Sequence, residues 1–131
     1  MIGFDTNLLV RFLVRDDPAQ AARVDALVDE CLRSDEAVLL NGIVLCETVW
    51  VLESAYGFSR GVVAEVLEKI LLTRQFDVES REEVWRALGR FRRGRGDFAD
   101  YLLGERNSAL GCSRTATFDR ALEGEEGFLL L

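Results

Sequence analysis

The sequence predicts an α/β fold, a three-layer α/β/α sandwich with a short central parallel sheet. Short apolar runs alternate along the chain with longer segments whose apolar residues recur at helical spacing. Strands that alternate with helices in this way indicate a parallel sheet covered on both faces. The chain has 131 residues, of which 49% are hydrophobic, and a single proline, which is the size and composition of one compact domain. We therefore expect residues 1–131 to form a single domain.

Local signals support the individual elements. The first apolar run ends at Asp5, as suits a buried strand with a polar carboxyl end. Asp17 followed by Pro18 is typical of a helix start, Ser59 is a candidate N-cap, and Ser80 with a glutamate three residues later has the form of a capping box. In chain order we expect strands at residues 1–4, 36–40, 76–78, 113–118 and 128–131, and helices at residues 7–14, 18–32, 43–55, 62–71, 81–91 and 97–110.

The composition excludes several kinds of chemistry. The chain has no histidine, which removes Ser-His-Asp and Cys-His triads, zinc sites that use imidazole, and a histidine general base. The three cysteines, Cys31, Cys46 and Cys112, have no C-x-x-C spacing, so we expect small buried hydrophobic residues in a reducing compartment. Gly57 to Gly61 matches a G-x-S-x-G nucleophile elbow, but no strand precedes it, and a helix-ending glycine before a capping serine explains it better.

Net charge bears on whether the protein binds nucleic acid, and hydropathy bears on the compartment in which it is expected. The net charge of −7 weighs against tight non-specific binding of nucleic acid, although an acidic metal pocket can still meet a nucleic acid locally. No apolar run is long enough to cross a bilayer, and no basic leader precedes the first apolar stretch. We therefore expect a cytoplasmic protein.

Five carboxylates differ from the solvated acids because their neighbours are apolar: Asp5, Glu47, Asp97, Asp100 and Asp119. Ligands of open α/β sheets bind beyond the carboxyl ends of strands, where Asp5 and Asp119 are expected, and Asp100 would face the same crevice from a first helical turn. Acids that converge without a lysine or histidine repel one another unless a divalent cation lies among them, and Mg²⁺ or Mn²⁺ suits all-oxygen ligands. Each acid also has a structural alternative, namely a helix cap or, for Glu47, an ion pair with a buried arginine.

The order and spacing of these residues resemble the PIN-domain ribonucleases, and most closely the VapC-type toxins of toxin–antitoxin pairs. The resemblance covers essentially the whole chain, and no single tetrapeptide in it is specific. It rests on Asp5-Thr6-Asn7 after a short strand, Glu47 in the third helix, Asp97-Phe98-Ala99-Asp100-Tyr101-Leu102, and Thr117-Phe118-Asp119-Arg120.

The resemblance implies an endoribonuclease that hydrolyses RNA phosphodiesters by a metal-activated water, with Mg²⁺ or Mn²⁺ as the cofactor. By the same resemblance Asp5, Glu47, Asp100 and Asp119 are the catalytic and metal-binding acids and Asp97 is an accessory ligand. Thr6, Asn7 and Thr117 would orient the carboxylates or the metal-bound water. The implied partners are the RNA substrate, a cognate antitoxin and a second copy of the chain in a homodimer.

Arginines flank these acids in the sequence. Arg11 follows Asp5, and Arg93 and Arg95 lead into Asp97, so we expect them to contact RNA phosphates; the alternative is a solvated helix end. Two rival functions stay open. One is a phosphoacceptor or phosphatase domain with Asp5 as the nucleophile, and the other is a catalytically silent PIN-fold module that binds a partner protein.

Overall fold

A computed structural model describes residues 1–131 and confirms the α/β class. It contains six α-helices, five short strands and one 3₁₀ turn. The chain forms two compact units, Met1–Ser80 and Arg81–Leu131. The strands are β1 Ile2–Gly3, β2 Val38–Leu40, β3 Phe76–Val78, β4 Thr115–Thr117 and β5 Phe128–Leu130. The helices are α1 Thr6–Val14, α2 Pro18–Arg33, α3 Gly42–Ser54, α4 Arg60–Leu72, α5 Arg81–Arg93 and α6 Phe98–Ala109, and the 3₁₀ turn is Arg120–Leu122.

The first unit is built on a three-stranded parallel sheet in the order β1-β2-β3. Ile2 pairs with Val38, and Val38 pairs in turn with Phe76. Two helices connect each strand to the next, as parallel pairing requires. The residues that follow the three strands therefore lie at one edge of the sheet. Asp5 and Asn41 are two of them.

The central strand is apolar along its whole length, and it is fully buried on the face of Val38 and Leu40 and half-buried at Leu39. Val38 and Leu40 are fully buried, and Leu9 of α1 and Val63 of α4 are equally inaccessible. Phe76 on β3 meets Phe4 and Phe12 edge-to-face, with ring centroids 6.2 and 5.5 Å away. This core fixes the direction of β1 and hence the position of Asp5.

Helix caps account for most of the helix starts in the first unit. Asp17 accepts a hydrogen bond from the backbone N–H of Gln20 at 3.1 Å and Ser59 from that of Val62 at 3.3 Å, which confirms both predicted caps. The capping box predicted at Ser80 is wrong, because Ser80 has a φ of +52° and an N-cap residue is extended. Helix α3 ends at Ser54, and Gly57, with a φ of +67°, turns the chain three residues later.

The second unit packs α5 against α6 beside a two-stranded parallel sheet of β4 and β5. The parallel pairing is as predicted, but the strands form two sheets rather than a single one. Phe91 and Phe98 are fully buried and meet edge-to-face with ring centroids 6.1 Å apart. The hydroxyl of buried Tyr101 accepts a hydrogen bond from the Gly96 N–H at 3.1 Å, which ties the loop before α6 to the helix itself.

Two further expectations concern the cysteines and the membrane. Cys31 is buried and Cys46 half-buried, but Cys112 is exposed in the turn after α6, so the prediction of burial is wrong for Cys112. None of the helices combines the length and the apolar run that a membrane crossing would need.

Thr48 allows the cost of a buried hydroxyl in the core of the first unit to be measured. Its side chain is 1% exposed, and its hydroxyl has no hydrogen-bond partner. Valine has nearly the same shape and no polar atom to desolvate. We expect Thr48→Val to raise the free energy of unfolding by about 1 kcal/mol in urea denaturation.

The matched control is Thr73→Val. The Thr73 hydroxyl donates to the Lys69 carbonyl at 2.7 Å, so its loss should lower the same free energy by about 0.5–1.5 kcal/mol. Destabilisation by Thr48→Val would show that the Thr48 hydroxyl is satisfied after all.

Candidate active site

Asp5 lies two residues beyond β1 and is exposed. One of its oxygens accepts a hydrogen bond from the Leu8 N–H at 3.0 Å, so Asp5 is the N-cap of α1. A carboxylate has about four acceptor positions, and this cap uses one of them. The structural and functional roles expected for Asp5 are therefore compatible.

Glu47 lies in the second turn of α3, and the structure corrects its expected surroundings. The scarcity of charge around it indicated an acid buried in an apolar helix, but Glu47 is exposed. Ile43 and Trp50, about one turn away on either side, are 71% and 69% exposed. An apolar composition therefore does not bury this face of α3. No arginine pairs with Glu47; instead the Thr6 hydroxyl donates to its carboxylate at 3.1 Å.

A surface pocket of about 520 Å³ opens beside Asp5 and is lined by polar groups that include Asn7 and Arg11. Arg11 is only partly available there. Its Nε donates to Gln20 at 2.6 Å and its Nη1 to Asp16 at 3.2 Å, and Tyr56 donates to the other Asp16 oxygen at 2.7 Å. The hydrogen bond from Tyr56 lowers the pKa of Asp16, and the charge of Arg11 acts in the same direction.

The second unit brings three of the predicted acids together at the start of α6, and we call them the α6 carboxylate group: Asp97, Asp100 and Asp119. Asp97 occupies the N-cap position with an extended backbone, but its side chain makes no capping hydrogen bond. Asp119 caps the 3₁₀ turn through the Ala121 N–H at 2.9 Å, and its own N–H donates to the Thr117 hydroxyl at 3.0 Å. Asp100 is half-buried in the first turn of α6.

The electrostatics of the α6 carboxylate group are unfavourable for a fully ionised state. Burial raises the pKa of Asp100, and the negative charges of Asp97 and Asp119 raise it further. A hydrogen bond with Asp119 acts in the same direction, whereas a backbone hydrogen bond at Asp97 opposes the shift. Ionisation of the Asp100 side chain is therefore disfavoured by burial and by its two acidic neighbours.

The donor set suits a hard divalent cation. Every candidate ligand is a carboxylate oxygen, which Mg²⁺ and Mn²⁺ accept and softer ions do not prefer. Within neither unit, however, are three acidic or cysteine side chains grouped closely enough to hold an ion as they stand. The negative charges of Asp97 and Asp119, which contribute to the raised pKa of Asp100, would also favour a cation bound beside them.

Sequence reasoning missed two polar residues at the carboxyl edge of the three-stranded sheet. Asn41 follows β2 and caps α3 through the Val44 N–H at 3.0 Å. Glu79 follows β3 and accepts from the Gly42 N–H at 3.2 Å. The rule that drew attention to Asp5, a polar residue directly after an apolar strand, would have found both. Their bonds to backbone N–H groups position the start of α3, the helix that carries Glu47.

Comparison with known proteins identifies the family. The profile of the PIN domain matches residues 2–123. The chain belongs to the PIN domain family. It is also 26% identical over 116 residues to the VapC ribonuclease of Aquifex aeolicus (strain VF5), an alignment that spans 88% of this chain and 85% of that relative. No solved structure matches the chain significantly. The resemblance drawn from the sequence is thus confirmed at the level of the family.

The α6 carboxylate group predicts an unusual pH dependence of stability. Because the pKa of Asp100 is raised in the folded state, ionisation of Asp100 opposes folding above that pKa. The penalty disappears as the pH falls towards the unfolded value near 3.8. Asp100→Asn should therefore raise the Tm at pH 7 by at most a few degrees, since solvent screens part of the repulsion, and should change it little in acid.

Asp25→Asn is the control with the opposite sign. The hydrogen bond from Arg15 lowers the pKa of Asp25, so its ionised form favours folding. This substitution should lower the Tm at pH 7, and the difference should vanish as the pH falls through the lowered pKa of Asp25. A lower Tm for Asp100→Asn at pH 7 would contradict the repulsion inferred for the α6 carboxylate group.

Proposed function

We propose that the chain is a metal-dependent endoribonuclease that hydrolyses RNA phosphodiesters and acts as the toxin of a type II toxin–antitoxin system. The observation that carries the proposal is that Asp100 lies close enough to Asp97 and Asp119 for their charges to disfavour its ionisation, in a member of the PIN domain family. The similarity to a VapC ribonuclease supports RNA as the substrate.

Four carboxylates carry the reaction in this proposal: Asp5, Glu47, Asp100 and Asp119. They would hold Mg²⁺ or Mn²⁺, with Asp97 as an additional ligand. When bound, the ion supplies an activated water and stabilises negative charge on the phosphate. The absence of histidine is consistent with this choice, because carboxylates are the groups left to do the acid–base work.

The remaining groups orient the carboxylates. The Thr6 hydroxyl restrains Glu47, the Leu8 N–H restrains Asp5, and the Ala121 N–H restrains Asp119. Each bond uses one oxygen and leaves the other lone pairs of that carboxylate for a ligand. Thr117 acts one step further away, by accepting from the backbone N–H of Asp119.

Substrate and partner contacts complete the proposal. Arg11 lines the pocket beside Asp5, where it presents a guanidinium to RNA, and Arg93 and Arg95 are exposed before Asp97. Asn7 lines the same pocket, where its amide would orient Asp5 or the metal-bound water. We assign the exposed apolar side chains of α3, Ile43 and Trp50, to contacts with other proteins, namely a second copy of the chain or the cognate antitoxin. The expected location is the cytoplasm.

The decisive experiment is cleavage of total cellular RNA by protein purified free of any partner. We expect Mg²⁺-dependent cleavage that EDTA abolishes. Asp5→Asn, Glu47→Gln, Asp100→Asn and Asp119→Asn should each reduce the rate by at least about a hundredfold, and Thr6→Val, which removes an orienting group, by about 10–100-fold.

Asp77→Asn is the matched control, because Asp77 is an exposed carboxylate within β3. Its rate should equal that of the parent protein. Cleavage that persists in all four variants would indicate a contaminating nuclease. Absence of cleavage by the parent would favour the catalytically silent interaction module.

Metal binding also has a readout that does not depend on cleavage. Magnesium that binds only the folded protein should raise its stability, by about 2.7 kcal/mol at one hundred times the dissociation constant. Thermal unfolding monitored by circular dichroism measures this shift. Asp100→Asn should remove most of it and Asp77→Asn should retain it; an equal shift in both variants would place the ion elsewhere.

A further inference from the structure

A second pocket, of about 680 Å³, lies in the second unit, and Arg93 is the one residue of its lining to which the proposed function gives a role. We call it the arginine pocket. Arg86, Arg90, Arg93 and Arg114 line it, against two glutamates, Glu105 and Glu126. Four cationic side chains around one opening are notable in a chain whose net charge is −7. The volume is within the range of small-ligand sites.

The four arginines have different roles. Arg86 and Arg90 both pair with Glu105, at 3.0 and 3.3 Å, and Arg90 also lies 5.3 Å from the ring centre of Tyr101. These two side chains are held by the fold. Arg93 and Arg114 are exposed, and neither pairs with a carboxylate. The arginine pocket therefore offers two guanidinium groups to an anion.

Residues of α5 line the arginine pocket beside these charges. Trp85, Gly89 and Arg93 succeed one another at intervals of four residues, so they form a single stripe on the helix, and all three line the pocket. Glycine inside a helix is destabilising relative to alanine. Packing does not require it here, because a Cβ on Gly89 would meet only Arg93 Nη1, at an ordinary 3.5 Å. The glycine leaves a gap between an indole and a guanidinium.

We propose that the arginine pocket binds one nucleotide of single-stranded RNA. The base stacks on Trp85 in the gap above Gly89, and Arg93 and Arg114 bind the adjoining phosphates. An acidic peptide would pair with the arginines but would make no use of the space above Gly89 beside the indole of Trp85. This inference rests on the proposed function, because it takes RNA as the substrate.

The nucleotide in the arginine pocket is not the one that is cleaved. Residues of α6 from Gly104 to Ser108 line the pocket, whereas Asp100 is in the first turn of the same helix. At 1.5 Å per residue these positions are about 6 to 12 Å from Asp100 along the helix axis. The pocket would therefore hold a flanking nucleotide and determine where along an RNA the chain binds.

The test measures binding without cleavage, in EDTA. A fluorescein-labelled single-stranded RNA of mixed sequence is titrated with protein, and both anisotropy and tryptophan fluorescence are recorded. We expect Trp85→Ala and Gly89→Leu each to weaken binding about tenfold. The double variant Arg93→Gln/Arg114→Gln should also lower the slope of log affinity against log salt by about 1.4, the value for two phosphate contacts to a single strand. Quenching of tryptophan fluorescence by the RNA should be lost in Trp85→Phe.

Two controls separate the pocket from charge and from folding. Arg92→Gln removes one positive charge, half the change in the double variant, from the exposed residue adjacent to Arg93 and outside the pocket, and should alter affinity less than twofold. Gly89→Leu replaces a helix-interior glycine and should not lower the Tm, so a loss of binding in this variant is not a loss of fold.

Several outcomes would overturn the inference. The first is that the parent protein does not bind the RNA, and the second is that the parent and the pocket variants bind it with equal affinity. The third is that a polyglutamate peptide binds more tightly than the RNA, in a way that depends on Arg93 and Arg114. The proposed function can fail separately. RNA binding that depends on the pocket, in a protein that cleaves no RNA, would support this inference and contradict the ribonuclease.

Discussion

Repulsion among the three acids of the α6 carboxylate group is the constraint that the rest of the second unit has to meet. Asp97 stands at the N-cap position without capping, so the first turn of α6 lacks the bond that normally holds a helix start. The aromatic core replaces it. Phe98 is fully buried in that turn, and the Tyr101 hydroxyl accepts from the Gly96 N–H and donates to Glu125 at 2.9 Å. Packing thus holds the acids where their own interactions would separate them.

Glycine is needed in the loop before α6 for the same reason. A Cβ on Gly94 would overlap the Tyr101 hydroxyl, so a larger residue would displace the group that fixes the loop. The loop leads directly into Asp97. Its conformation is therefore fixed by contact with the buried Tyr101. A substitution at Gly94 would displace Tyr101 and thereby disturb the α6 carboxylate group, although Gly94 has no side chain that could take part in a reaction.

The elements of the fold could be predicted because their signals are local. Helical spacing of apolar residues and the caps Asp17 and Ser59 act over a few positions, and the structure has them as expected. The wrong predictions concern structural features that the local sequence does not determine. Ser80 has the right spacing for a capping box, but its backbone is left-handed. Strands β4 and β5 pair only with each other, and that pairing depends on contacts between two strands of three residues each. Periodicity contains no information on such pairing.

The residue types of the candidate site could be predicted from the sequence, but the exposure and the contacts of those residues could be predicted less well. The fold rule placed Asp5 beyond a strand end, and the structure has it there. The exposure of Glu47 could not be read from its neighbours, because a helix that is apolar on all sides does not reveal which side a core covers. Nor could the sequence show that Asp97 leaves the helix start uncapped, or that Arg11 is engaged by Asp16 and Gln20, since both depend on side-chain geometry.

Three positions reduce stability, and their surroundings distinguish their causes. Burial and, after it, neighbouring negative charge oppose the ionisation of Asp100; Gly89 weakens a helix, and Thr48 leaves a buried hydroxyl without a partner. Natural proteins keep such features when function requires them or when stability remains sufficient. Asp100 and Gly89 each have a ligand that would explain them, a cation for the one and a nucleotide base for the other. Thr48 is 1% exposed and lines neither of the two pockets described above, so its unsatisfied hydroxyl is a loss that the fold of the first unit tolerates rather than one that function demands.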